Sequence, residues 1–234
     1  MSQNLRKIAE SLHKQGKANP GLMNYAIPDL WFTAKPKTEH LNVPDGHVLV
    51  NPYLFYEAVI KEVFLSKEDK ELKPYYLDHK VEKKLANGNW IKKSNVYSMM
   101  IRSSGSFDHD RTGALENENL NGLKDTGTFI KTLAYLPTLK RMGIDVLYLL
   151  PIAKYSLKDK KGELGSPYGV SNFTALDNLL KDPMSPDTTV EEEFKAFVEA
   201  AHLLDMKVII DIIPRTNSVN SDMILDHPDW FYWI

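Results

Sequence analysis

From residue 93 onward the apolar residues of this chain change period repeatedly, from short near-continuous runs to helical spacing and back, and few folds accommodate that alternation. Residues 95–103 form a β-rich run ending in turn residues. A helical pattern of Phe129, Leu133, Leu136 and Leu139 follows and stops at Gly143. Residues 144–150 make a second run, closed by Pro151, whose continuous apolar character suits a strand covered on both faces. Thr188 or Thr189 is placed to cap the next helix, with Glu191 and Glu192 at capping-box spacing and Phe194, Phe197, Val198, Ala201 and Leu204 along one face. A third strand, residues 208–213, follows at once. Strand, helix, strand, helix, strand with right-handed crossovers predicts an α/β fold built on a parallel sheet.

Residues 1–92 have another rhythm. Pro20, Pro28, Pro36, Pro44, Pro52 and Pro74 interrupt them and exclude long helices over most of the stretch. The exceptions predicted are residues 4–13 and residues 52–64, the second opening on Pro52 and carrying Phe55, Val59 and Val63 at helical spacing. We expect an accessory N-terminal domain over 1–92 and the alternating unit over 93–234.

Bulk properties remove several classes of function. A composition of 43% hydrophobic and 26% charged residues with a net charge of −2 is that of a soluble globular protein, without the basic field a nucleic-acid partner requires. Lacking cysteine, the chain has no disulfide framework, no thiolate nucleophile and no thiolate ligand. Its histidines show no ligand spacing, so neither a metal nor another cofactor is expected. No stretch approaches the roughly 18 apolar residues of a membrane span, and the stretch from Met1 to Met23 lacks the apolar segment of a signal peptide. A cytoplasmic setting without a membrane partner is the expectation.

The run Lys207-Val-Ile-Ile-Asp-Ile-Ile-Pro-Arg-Thr216 reads as a buried parallel strand bringing Asp211 and Arg215 to its carboxyl end. Loops at that end of the strands carry the chemistry of α/β folds. Ahead of it stand Leu136-Pro-Thr-Leu-Lys-Arg-Met-Gly-Ile-Asp-Val-Leu-Tyr-Leu-Leu-Pro-Ile152 and Gly165-Ser-Pro-Tyr-Gly169, the latter followed by Asn172-Phe173 and Asp177. In order and spacing these signatures resemble the α-amylase superfamily, glycoside hydrolase family 13. The segments Asp211-Ile-Ile-Pro-Arg-Thr-Asn-Ser218 and Asp226-His-Pro-Asp-Trp-Phe-Tyr-Trp233 resemble in particular its bacterial maltosyltransferases, which are 4-α-glucan transferases. Tyr25-Ala-Ile-Pro-Asp-Leu-Trp31 and Asn89-Trp-Ile-Lys-Lys-Ser-Asn-Val-Tyr97 extend the likeness over essentially the whole chain.

That resemblance implies a (β/α)8 TIM barrel with accessory regions, residues 93–234 holding strands one to three. Such a barrel needs eight strands and about 250 residues. We therefore expect the N-terminal part of a longer protein, truncated before strand four, with strands one and three as unpaired edges. The implied activity is retaining transfer of maltosyl units between maltodextrins by double displacement, with maltodextrin or starch-type α-1,4-glucans as partners. The family carries its nucleophile and acid/base on strands four, five and seven, so no catalytic carboxylate is assigned and the chain alone is expected to be inactive. Alternatives are a maltosyltransferase using maltose-1-phosphate, an α-amylase-type hydrolase and, in another class, a noncatalytic glucan-binding or assembly module. Self-association is left open.

Among the expected site residues, Asp211 matches an aspartate that supports the family's catalytic groups by hydrogen bonding; by itself it reads equally as a strand-end cap of the next turn. Tyr168 matches an aromatic that stacks on sugar, the other reading being a loop tyrosine packed over the rim. Arg215 and Thr216 stand where amylases commonly carry Asn-His, which disfavours plain hydrolysis. Arginine has donors only and ligates no cation, so this departure argues against calcium and for a contact to sugar or an anion, or for an ion pair with a carboxylate of later strands. Arg102 is either a structural ion pair or a ligand contact, and Asn172 replaces a common Asp. Trp230, Phe231, Tyr232 and Trp233 form a glucan platform or an apolar plug against protein. Asp222 and Asp229 are turn carboxylates rather than catalytic ones, and residues 154–161 form a solvated lysine-rich loop.

Overall fold

The computed structural model describes residues 2–66, 88–160, 162 and 164–232; Pro74, Lys161 and Trp233 of the segments discussed above lie outside them. Helix α1 (Gln3–Ala18) buries Leu5, Ile8, Ala9 and Leu12, the spacing of one helical face. Its start is held from far along the chain. Glu199 accepts the backbone N–H groups of Asn4 and Leu5 at 3.2 and 2.9 Å and the Asn4 amide at 2.7 Å, a carboxylate filling donors that the first turn leaves unpaired. Strands β1 (Tyr25–Pro28), β2 (His40–Val43) and β3 (His47–Val50) form an antiparallel sheet in the order β1-β3-β2. Asn51 caps α2 (Pro52–Ala58), whose first turn takes Pro52 because no N–H is needed there, and the coil widens into a π-helix over Val59–Leu65. Both helices predicted for the first part are present, the first longer than expected.

Strand β4 (Val96–Met99) is shorter than the run 95–103 suggested. The chain coils at once into a helical turn, α3 (Ile101–Ser104), in which the Met100 carbonyl accepts from the N–H groups of Ser103 and Ser104. After a long loop come α4 (Phe129–Leu133) and α5 (Leu136–Arg141). The single helical pattern is divided there because Pro137 has no N–H to return to the preceding turn and so opens a new helix. Then follow β5 (Val146–Leu149), the antiparallel pair β6 (Ala153–Tyr155) and β7 (Val170–Leu176), α6 (Val190–Leu203), β8 (Lys207–Ile210) and α7 (Met223–Asp226). Lys154 thus sits in a strand rather than in the expected loop, while Lys158 and Lys160 are exposed.

Strands β4, β5 and β8 pair in parallel in that order, with helices between them in sequence, as the alternation predicted. Among the described residues this sheet has three strands and does not close, leaving β4 and β8 as edges. Leu147 and Leu149 are fully buried on one face of β5, whereas Tyr148 on the other face is only half-buried and its neighbour Ser98 is exposed. The two-sided burial expected for 144–150 is therefore incomplete. Strand β8 ends before Ile213 because its partner does: Asp211 N–H still donates to Leu149 O at 2.8 Å, but β5 stops at Leu149 and Ile212 is left 67% exposed.

Thr189, not Thr188, caps α6: its hydroxyl accepts from Glu192 N–H at 3.3 Å while the Glu192 carboxylate accepts from Thr189 N–H at 3.0 Å. Replacing Thr189 with alanine is expected to cost about 1 kcal/mol, seen as a lower urea midpoint at unchanged slope. Helix α1 packs on both α2 and α6, and one apolar core runs from Leu5 to Met206, crossing residue 92 without a break. Among the described residues no helix is long and apolar enough to cross a membrane.

Candidate functional site

Side chains alternate between the two faces of a strand. The parallel register aligns Ser98 with Tyr148 and Tyr148 with Ile209, so Asp211, two residues beyond Ile209, shares the face of Tyr148. Opposite it, the turn 165–169 presents Tyr168, whose hydroxyl donates to Asp211 Oδ2 at 2.9 Å. The turn is locally determined: Gly169 N–H donates to Ser166 O at 3.2 Å, Tyr168 N–H to Ser166 Oγ at 3.3 Å, and Pro167 is buried beneath. The hydrogen bond to Asp211 raises the Tyr168 phenol above its ordinary pKa, with desolvation and the Asp211 charge adding to it. The Tyr148 phenol is raised as well, first by desolvation and then by the charge of Asp211 and a hydrogen bond to it.

A carboxylate with two phenols therefore stands at the carboxyl end of the parallel sheet. Among the described residues Asp211 meets phenols, not the turn that follows it. Tyr168 is 38% exposed, so its ring can lie against the C–H face of a sugar while the carboxylate accepts hydroxyl protons. Tyr148 was missed in the sequence, and the strand register is the signal that would have found it.

Arg215 and Thr216 lie in the exposed turn beyond β8, and neither has a hydrogen bond or ion pair among the described residues. The chain after them is pinned to β7: Ser218 N–H donates to Val170 O and Asp222 N–H to Ser171 O, each at 2.9 Å, and Asn172 Nδ2 donates to Asp222 Oδ2 at 2.7 Å. Asp222 is thereby a structural acceptor. Arg102 does not face an open site. It is 4% exposed, with Nε 3.8 Å from Asp177 Oδ2, Nη1 donating to Leu164 O and its guanidinium 3.9 Å above the Tyr155 ring. Of its two readings, the ion pair is the one observed. His227 and Trp230 stack at 3.9 Å and 5°, Phe231 is partly buried and Tyr232 is fully exposed, so the described residues cover that cluster only in part.

A cleft of about 230 Å³ runs beside β8, walled by Ile152, Phe173, Leu176, Phe194, Ile210 and Ile212 and touched by Asp211. Walls so apolar suit packing against protein more than binding of sugar hydroxyls. Elsewhere, Asp108, Asp110 and Asp125 have carboxylate oxygens within 4.8 Å of one another, the one such group among the described residues with the geometry to hold a hard cation. Backbone amides already occupy them. Gly113 N–H donates to Asp108 at 2.7 Å, Leu120 N–H to Asp110 at 2.7 Å, and the N–H groups of His109 and Glu116 to Asp125, both at 3.1 Å.

No family model matches the chain. An α-1,4-glucan:maltose-1-phosphate maltosyltransferase of Mycolicibacterium smegmatis is 29% identical over 160 residues, 62% of this chain and 21% of that protein. The enzyme of the same name from Chlorobaculum tepidum is 33% identical over 113 residues, 46% of this chain and 17% of that protein. Among solved structures, an α-amylase from Lactobacillus plantarum is 28% identical, covering 62% of this chain and 28% of that one, with a TM-score of 0.44. The chain is similar in sequence to these maltosyltransferases, as its motifs implied, and spans 21% and 17% of the two named here.

Proposed function

We propose that this chain supplies part of the substrate mouth of a retaining α-1,4-glucan maltosyltransferase. The observation that carries the reading is the Tyr168–Asp211 hydrogen bond at the carboxyl end of the parallel sheet, a stacking ring and a hydroxyl acceptor fixed to each other at 2.9 Å. Sequence similarity to the maltosyltransferases supports it. In this reading β4, β5 and β8 are the first strands of a (β/α)8 barrel, and residues 1–92 form an accessory layer on it. Retaining transfer needs two carboxyl groups about 5 to 5.5 Å apart, one attacking the anomeric carbon and one protonating the leaving oxygen. The glycosyl intermediate then passes to a sugar hydroxyl instead of water. We assign that pair to the part of the relatives' length that this chain does not span, and Asp211 to support of the reacting sugar. The exposed Ile210 and Ile212 and the apolar cleft beside them are the surface such a continuation would cover.

Titration of maltoheptaose into the chain tests this. Binding is expected, weakened about tenfold by Tyr168→Ala, the scale of one aromatic stacking contact, and no transfer product is expected from the chain alone. Binding that is absent, or indifferent to Tyr168, rejects the reading. A noncatalytic glucan-binding module would bind in the same way, and transfer activity in a protein that continues this sequence separates the two.

A phosphorylated donor is the second reading, favoured by the relatives' names and by an exposed Arg215 with no ion pair among the described residues. A guanidinium takes a phosphate in bidentate fashion. In the active protein, maltosyl transfer from maltose-1-phosphate lost in Arg215→Ala would support it; transfer from maltodextrin without phosphate and unaffected by that change would remove it.

A further inference from the structure

We propose that Arg102 is a positioning residue for the sugar-contacting pair: from inside the fold it holds the segment 164–169 so that Tyr168 meets Asp211. The proposal takes from the function above only the name sugar-contacting; the contact itself is observed. Arg102 is locked before it reaches out, because its carbonyl accepts Gly127 N–H at 2.9 Å in the turn α3. Its guanidinium then serves three partners. Nη1 donates to the carbonyl of Leu164, the residue immediately before the Tyr168 turn. Nε faces Asp177 at 3.8 Å, and Asp177 is itself tied down, donating its N–H to Ile152 O at 3.0 Å and accepting Leu179 N–H at 3.0 Å. The planar face covers Tyr155 at 3.9 Å.

The same Tyr155 ring seats the turn. Gly165 has φ +64°, and a Cβ built on it would lie 2.5 Å from Tyr155 Cε2, so the loop rests on the ring that Arg102 covers. The far end of the segment is fixed by the sheet, Ser156 N–H donating to Gly169 O at 2.8 Å and Tyr155 pairing with Val170. Between the two anchors Pro167 is buried and the Tyr168 hydroxyl reaches Asp211 Oδ2. Only arginine suits the inner anchor. A planar fork serves a carbonyl and a carboxylate at once with its face on a ring, whereas lysine is a point charge on a flexible stem.

A merely structural ion pair would make Arg102 matter for stability but not for where Tyr168 sits. The chain is labelled with 3-fluorotyrosine and followed by fluorine NMR, Tyr168 being assigned with Tyr168→Phe. In the parent its signal should titrate above free 3-fluorotyrosine, and Asp211→Asn should abolish that displacement. Arg102→Lys is expected to lose most of the displacement in a folded chain and to add nothing in the Asp211→Asn background, the non-additivity of residues acting on one contact. Maltoheptaose affinity should fall about tenfold with it, as for a modest misplacement of a binding group. Arg102→Gln, which keeps a donor for the Leu164 carbonyl but gives up the charge facing Asp177 and the planar cover on Tyr155, should move the same signal and decides the matter if Arg102→Lys fails to fold. A Tyr168 titration unchanged in a folded Arg102→Lys chain, or in Arg102→Gln when the lysine variant does not fold, overturns the proposal. If the signal moves but Tyr168→Ala binds maltoheptaose as the parent does, the positioning stands and the sugar reading of the pair falls.

Discussion

Gly127→Ala is expected to destabilise the chain by about 3 kcal/mol or more, enough to remove most of the stability of a marginal fold. A Cβ at this position would fall inside the carbonyl oxygen of Ile101 and lie 2.8 Å from Gly105 Cα. Both neighbours are backbone, so no side chain can swing aside. The close approach is functional in the fold: Gly127 N–H donates to Arg102 O, and the next residue, Thr128, caps α4 by accepting Lys131 N–H at 3.3 Å and donates its hydroxyl to Asp182 at 2.5 Å. Pushing 127 away from α3 would strain all of these together. Gly21→Ala is the control, since nothing lies within 4 Å of its Cβ and its backbone is not left-handed; a change within about 0.5 kcal/mol is expected there. Urea unfolding followed by circular dichroism reads both, and a Gly127→Ala chain that unfolds with the parent would show that the backbones are not in contact.

What the sequence announced about the fold was what is local. Thr189 with Glu192, Pro52 at a first turn and the apolar faces of α1 and α6 act within a few residues, and each produced the element expected. The antiparallel sheet β1-β3-β2 did not announce itself, because its four-residue strands are defined by partners rather than by period. Strand β7 was hidden in the same way: Ser171, Asn172 and Thr174 break its apolar run, and it is a strand because β6 pairs with it. The division of the helical pattern at 134–135 was present in Pro137 but outvoted by the leucines.

Site residues divide along the same line. Asp211 and Tyr168 were identifiable one by one from motifs, yet their hydrogen bond joins a strand end to a turn remote in sequence, and only the fold brings them together. Tyr148 was read as one more apolar residue in 144–150, since the face it occupies depends on register against β8. Arg102 carried two readings because a strand-end arginine has no local signature of burial. Its partners Leu164 and Asp177 come from beyond β5. Asp108 and Asp110 are ordinary loop acids until Asp125 returns beside them.

Between pH 6.5 and 8 the chain is expected to lose about 1 kcal/mol of stability as pH rises, a fall of up to about 1.4 kcal/mol per unit for one proton that the ends of the His109 and Lys131 titrations partly offset. The group responsible is Glu193, 1% exposed in the first turns of α6. Burial first, and then the charge of Asp182, push its pKa from 4.5 up to about 8, against the pull of Ser185 Oγ at 2.7 Å, Asp182 N–H at 2.9 Å and Lys181 at 3.8 Å. The folded chain thus holds a proton that the unfolded chain has released above 4.5, so stability falls as pH rises toward 8. Below 6.5 His109 opposes this. Burial and then the neighbouring Lys131 lower its pKa, so the unfolded chain takes up a proton there that the folded chain refuses. Above 8 the sign reverses, because burial holds Lys131 at about 8 against 10.5 when unfolded, and Lys124 is lowered in the same direction. A stability minimum near pH 8 is the result. Urea melts at pH 6.5, 8 and 9.5 read it: Glu193→Gln should flatten the fall and leave the rise, and Lys131→Met should do the reverse. A parent chain whose stability is constant or rising from pH 6.5 to 8 would mean that Glu193 is ionised in the fold, its hydrogen-bond donors and Lys181 outweighing burial.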